Sequence, residues 1–216
     1  TTDPSTTMAT AVTAKKNGGA NQAYTGSALA LVNAGVSSAG TLKYKVTTTN
    51  EQPEKGEGWS ETVPTATDAG TYYVWYYADG NDNYNETAVS AEPVTVTIDK
   101  ATPTVTTVPA IVSGDLSYTG AAQALATAAG GVTGGTLKYY VSTEDSAPET
   151  TADGWTATVP EKTAAGTYYV WYYVDGDTNY DDTAVQSLGS KTISKAAATT
   201  DPSTTMATAV TAKKNG

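Results

Sequence analysis

The chain has 216 residues, a formal net charge of −10, 15 Tyr and 4 Trp, and no Cys, His or Phe. That length allows one or two domains, and such acidity, with no basic cluster beyond Lys15-Lys16, argues against nucleic acid or an anionic membrane surface as partner. Without Cys and His there is no disulfide, no thiolate zinc site and no Ser/His or Cys/His nucleophile, and no carboxylate sits in a recognisable catalytic segment, so no enzyme activity is expected.

Val, Thr and Tyr spaced by Gly, Pro, Asn and Asp predict strands and turns rather than helices. In chain order the strands fall near 8–14, 28–32, 41–47, 59–63, 71–78, a shorter one at 87–90, and 94–98. A second set follows near 104–108, 123–127, 136–142, 155–159, 167–174, 183–186 and 191–193. About seven short strands in each ~100 residues is the pattern of a β-sandwich. No apolar run reaches the ~18–20 residues of a membrane span.

The two sets are copies. "YTG" at Tyr24 recurs at Tyr118, "GTLKY" at Gly40 recurs at Gly135, Gly58-Trp59 recurs as Gly154-Trp155, and "NYNETAV" at Asn83 returns as "NYDDTAV" at Asn179. The offsets are 94, 95, 96 and 96, so order is kept and insertions are small. A second repetition lies over the first: "TTDPSTTMATAVTAKKNG" occupies Thr1–Gly18 and returns unchanged at Thr199–Gly216. A two-domain unit repeated in a longer array is the reading this supports. Repeat 1 is expected at 1–98 and repeat 2 at 99–195, with 196–216 as a linker and the first strand of the next repeat.

The strand "GTYYVWYYADG" from Gly70, repeated as "GTYYVWYYVDG" from Gly166, carries aromatics on both faces. "DAGTYYV" (Asp68–Val74) resembles the D-x-G-x-Y-x-C segment of immunoglobulin-type domains, with Val74 at the cysteine position. That resemblance implies a tyrosine corner at Tyr72, with Tyr72, Val74, Tyr76 and Ala78 facing inward and Tyr73, Trp75 and Tyr77 outward. In the second copy Tyr168, Val170, Tyr172 and Val174 face in and Tyr169, Trp171 and Tyr173 out; Ala164 replaces the aspartate and weakens the match. In "TLKYKV", Leu42, Tyr44 and Val46 face the core, and Lys43 and Lys45 lie outside beside the outer rings, placed for cation–π contact. In the second copy Leu137, Tyr139 and Val141 face in, Lys138 and Tyr140 out. A core without Phe relies on Tyr, whose buried hydroxyls need partners.

"YTG", "GTLKY", "GW…TVP", "AGTYYVWYYVDGD" and the closing "TISKA" resemble the immunoglobulin-like tandem repeats of large bacterial cell-surface and adhesin proteins, the MBG or YDG-type repeats. The resemblance spans both repeats. It implies an all-β fold of two tandem immunoglobulin-like β-sandwich domains of about seven strands each, with no disulfide. It also implies an extracellular bacterial structural protein, a stalk or a self-associating fibre.

Two candidate sites follow. The outward residues Tyr73, Trp75, Tyr77, Tyr140, Tyr169, Trp171 and Tyr173 form a contact face for neighbouring repeats, including lateral self-association, a stacking surface for a glycan, or a surface covered by lysine stems. The turns "DGNDNYNE" and "DGDTNYDD" place Asp79, Asn81 and Asn83, and Asp175, Asp177 and Asn179, at alternate positions where oxygen ligands for calcium would stand. The competing reading of those turns is a hairpin loop whose Asp-Gly supplies positive-φ positions.

Overall fold

The computed structural model describes residues 8–197. Apart from Ala196 and Ala197, the expected linker and first strand at 196–216 lie outside the described residues, as does the start of the chain to residue 7. Among the described residues there is no helix, and the protein is all-β.

Eight strands build two four-stranded sheets. The first holds β1 (Gln22–Ala23), β2 (Thr41–Thr47), β3 (Gly70–Asp79) and β4 (Val94–Asp99) in the order β1-β4-β3-β2. The second holds β5 (Leu116–Ser117), β6 (Gly135–Ser142), β7 (Gly166–Gly176) and β8 (Gln186–Ser194) in the order β5-β8-β7-β6. The same order in both sheets is the structural counterpart of the sequence repeat.

Alternation sets the register of the first sheet. Leu42, Tyr44 and Val46 of β2 stand opposite Ala78, Tyr76 and Val74 of β3, antiparallel. Val94 to Ile98 of β4 pair with Val74 to Gly70 on the other side, and β1 joins β4 in parallel, Gln22 opposite Ile98. These apolar side chains form one cluster with Val12, Leu29, Leu31, Val32, Val63 and Ala66, the layer that closes the core.

That second layer is made of two-residue pairings rather than long strands. The strand expected at 28–32 is split at Leu31: Leu29–Ala30 pairs with Thr65–Ala66, and Val32–Asn33 pairs with Thr13–Ala14. Leu31 is the pivot. Its N–H donates to the Pro64 carbonyl (2.9 Å) while its own carbonyl accepts from the Lys15 N–H (2.8 Å). Leu125 does the same, donating to Pro160 O (2.9 Å) and accepting from the Val112 N–H (3.1 Å). Each side chain is fully buried where its backbone changes partner.

The strand expected at 59–63 is reduced to one bridge, Ser60 with Tyr44, in which both N–H groups donate across. The strand expected at 87–90 is absent. Instead Thr87 and Ser90 occupy the β3 edge beyond β4: Ala78 and Tyr76 N–H groups donate to their hydroxyls, and their own N–H groups donate to the Ala78 and Tyr76 carbonyls. Hydroxyls have replaced half of a ladder, as Ser and Thr side chains can.

The chain divides into two compact units. One comprises the chain up to Thr107 with Gly131–Leu137 and Tyr173–Ala184; the other comprises Val108–Gly130, Lys138–Tyr172 and the chain from Val185. The first unit therefore includes the loop after β7, which by sequence belongs to repeat 2. In the second unit Leu125, Ala126, Tyr139, Tyr168, Val170 and Ile193 are buried.

Candidate functional site

The inner tyrosines are anchored by their hydroxyls. Tyr72 donates to the Asp68 carbonyl (2.8 Å), and Tyr168 donates to the Ala164 carbonyl (2.9 Å). Both acceptors are main-chain oxygens four residues back, so the second copy forms the corner with alanine where the first has aspartate. Tyr139 accepts from the Ala129 N–H (3.2 Å) and donates to Thr127 O (3.4 Å). Burial pushes the Tyr44 and Tyr139 hydroxyls above their ordinary range, offset in part by backbone hydrogen bonds from Gly35 and Ala129.

The outer row lies where alternation places it, but it is not an open face. Trp75 is 2% exposed and Tyr77 9%; Trp171 is 9% exposed and Tyr173 5%. Only Tyr73, Tyr140 and Tyr169 of the seven candidate residues are half-buried. The four buried rings, Trp75, Tyr77, Trp171 and Tyr173, are therefore covered within the chain and do not present the open contact or glycan surface that is one reading of the row. In the first repeat the segment between β2 and Ser60 supplies cover. Trp59 meets Tyr77 edge-to-face, ring centroids 4.9 Å apart at 80°, and the Lys55 ammonium stands 4.6 Å over the same ring. Burying a ring of this size is worth about 1.5–3 kcal/mol.

The segment is pinned at several points. Trp59 Nε1 donates to Glu54 O (3.0 Å), Lys45 Nζ to Glu57 O (2.9 Å), and Gln52 Nε2 to Ser90 O (2.8 Å). Lys55 Nζ donates to Thr87 O (2.5 Å) and pairs with Glu86 (2.7 Å). Trp75 Nε1 donates to Thr47 Oγ1 (3.0 Å).

The second repeat keeps part of this device. Trp155 Nε1 donates to Glu149 O (3.0 Å), and the Trp155 ring lies against Tyr140, centroids 5.4 Å apart. No lysine corresponds to Lys55: between the shared Glu and Gly-Trp the first copy has Lys55-Gly56-Glu57, the second Thr150-Thr151-Ala152-Asp153.

Lys43 and Lys45 stand opposite Tyr77 and Trp75, as the register expects. Their ammonium groups go elsewhere. Lys43 pairs with Asp79 (3.2 Å) and Glu61 (3.5 Å), which raises its pKa, with the Asp79 hydrogen bond as the largest cause. Lys55 is the cation on the ring, and sequence reasoning missed it because it sits in a segment without periodicity.

The loop oxygens turn toward their own backbone. Asn81 Oδ1 accepts from the Asn83 N–H (2.9 Å). Asp177 Oδ1 accepts from the Asn179 (2.8 Å) and Tyr180 (3.1 Å) N–H groups. Asp79 holds Lys43, and Asp175 has partners of its own. Among the described residues no three His, Cys, Asp or Glu side chains gather in a way that could hold a metal ion. Glycine is needed in these loops for space, not for positive φ: neither Gly80 nor Gly176 has it. A Cβ would lie 2.2 Å from Tyr84 O at Gly80 and 2.3 Å from Tyr180 O at Gly176.

Within the first unit, loop 175–182 is engaged by residues to which the sequence assigned no such contact. Asn179 Nδ2 donates to Asp68 Oδ1 (3.1 Å) and its Oδ1 accepts from the Ala69 N–H (2.7 Å). Ala101 donates to Asn179 O and accepts from the Asp181 N–H, each at 2.9 Å. Lys100 Nζ donates to Asp177 O (2.8 Å). The Tyr24 and Tyr180 rings meet edge-on, centroids 5.3 Å apart at 74°.

No protein family, curated protein or solved structure matches this chain.

Proposed function

We propose that this chain is a structural tandem-repeat segment of an extracellular bacterial surface protein, serving as an adhesin stalk or as the building block of a self-associating fibre. Each repeat is read as an immunoglobulin-like sandwich. Supporting this are the neighbouring order β2-β3-β4, which follows the C, F, G strand order of such domains, and the corners at Tyr72 and Tyr168. The repeats rather than any cleft carry the role.

The observation that supports it best is the engagement of loop 175–182 by Asp68, Ala69, Lys100 and Ala101. Main-chain and side-chain hydrogen bonds at one joint suit a protein whose work is to hold repeats in series. Electron microscopy of the native material tests the reading. Regular filaments indicate a fibre and threads anchored on cells indicate a stalk; compact particles with neither would overturn it. The rival, a carbohydrate-binding module, retains only Tyr73, Tyr140 and Tyr169 as partly open rings.

A further inference from the structure

Tyr24 and Tyr180 make a pair within the first unit, and each has a homologue in the other repeat. The homologue of Tyr24 is Tyr118, and that of Tyr180 is Tyr84, by the repeat offsets of 94 and 96. Those two are exposed, Tyr118 at 46% and Tyr84 at 37%. A single exposed tyrosine is ordinary. Two that are the homologues of a pair in contact are not.

Their backbone settings match. Tyr24 follows β1 and its N–H donates to Asp99 O (2.9 Å); Tyr118 follows β5 and its N–H donates to Ser194 O (2.8 Å). Tyr180 and Tyr84 lie in loops closed against Gly176 and Gly80 in the same way. Two of the residues that grip loop 175–182 also recur: Lys100-Ala101 is matched by Lys195-Ala196 after β8.

We infer that Tyr118 and the Lys195-Ala196 backbone form a receiving surface for loop 79–86 of a second copy of this chain, with Tyr84 of that copy packed edge-on against Tyr118. The inference rests on the tandem-array reading and names the residues of the joint between successive two-repeat units. Asn83 takes the place of Asn179 and meets the Ala165 N–H as Asn179 meets that of Ala69. Asp68 has no counterpart, since Ala164 stands there, so this joint lacks one side-chain hydrogen bond of the other. It differs also at Ala39. Gly134, its homologue, lets the Tyr180 ring lie on the backbone, where a Cβ would come within 2.3 Å; no ring could lie as close over the Ala39 methyl.

The test uses a fusion in which residues 1–198 run directly into a second copy of the 216-residue chain. The chain has no cysteine, so introduced thiols are unique. Tyr118→Cys in the first copy and Tyr84→Cys in the second are treated with a short thiol-to-thiol cross-linker. Tyr24→Cys with Tyr180→Cys gives the reference rate, and the reversed placement, Tyr84→Cys first and Tyr118→Cys second, gives the rate of chance encounter. Linking near the reference rate and at least about tenfold above the reversed pair is expected for ends held together. A rate equal to that of the reversed pair, while the reference pair links, overturns the inference.

Tyrosine nitration of the unsubstituted fused chain is the second readout. Half of Tyr118 and half of Tyr84 should be protected; full reactivity of both overturns the joint. Filaments or threads by microscopy with full reactivity would sink this joint and leave the structural role standing. Protected tyrosines without filaments or threads would do the reverse.

Discussion

The ammonium of Lys55 stands 4.6 Å above the Tyr77 ring while bonding the Thr87 carbonyl and the Glu86 carboxylate. One side chain thus ties the segment after β2 to the outer face of β3 and to the chain that guards its edge.

Lys55→Ala should release that cover. Loss of a partly buried cation–π contact and a charge-assisted hydrogen bond should cost about 1–2 kcal/mol in urea denaturation. Iodide quenching of tryptophan fluorescence should rise, since Trp59 and Trp75 lie on the uncovered side. Unchanged quenching would show that Trp59 and Gln52 hold the segment without the lysine.

The corners depend on hydroxyls and main-chain acceptors. Tyr72→Phe and Tyr168→Phe should each destabilise by about 1 kcal/mol. Asp68→Ala should leave the corner intact, because Tyr72 bonds the Asp68 carbonyl and not its carboxylate. Asp68→Ala also removes the Asn179 hydrogen bond to the Asp68 carboxylate, so the check is Tyr72→Phe in the Asp68→Ala background: a cost that disappears there would contradict this assignment.

Trp75 and Trp171 are homologous but differently satisfied. Trp75 Nε1 bonds Thr47 Oγ1, whereas the buried Trp171 Nε1 has no protein partner among the described residues. Trp75→Phe should therefore cost about 1 kcal/mol more than Trp171→Phe. Alanine at either site should cost about 3–5 kcal/mol through the cavity left, so a loss of glycan binding in such variants would be accompanied by a lowered melting temperature.

Stability should fall at alkaline pH. Burial raises the hydroxyl pKa of Tyr44, Tyr139, Tyr72 and Tyr173, and nearby carboxylates add to the rise at Tyr72 (Asp68) and Tyr173 (Asp175 and Asp182). The unfolded chain releases these protons near the ordinary value of about 10, the folded chain later. Their contribution is full below that pH and is lost as pH rises through the folded values. Denaturation midpoints between pH 8 and pH 11 check this at about one-unit intervals; a flat profile would mean that these hydroxyls ionise alike in the folded and unfolded chain, against the raised folded values.

Much of the first sheet was legible in advance. Period-two alternation places Leu42, Tyr44 and Val46 on one face and Lys43 and Lys45 on the other, and the structure pairs them with β3 in that register. Short pairings were harder to read. The split at Leu31 follows from its N–H and carbonyl facing different partners, Pro64 and Lys15, which are remote in sequence. Thr87 and Ser90 look like strand residues, yet their hydroxyls do part of the bonding.

By itself the sequence determined the duplication, the all-β composition and the division of the aromatics of "GTYYVWYY" between two faces, because these depend on local repetition and on the alternation of a strand. Tertiary structure alone decided whether an outward ring is wet. Tyr77 points away from the core cluster and is still buried, because Lys55 and Trp59 come from a segment with no period to betray its path. It likewise decided that Tyr24 has an aromatic partner while Tyr118 is exposed. Side-chain direction is a local property of the backbone; burial depends on whatever remote chain arrives to fill the space.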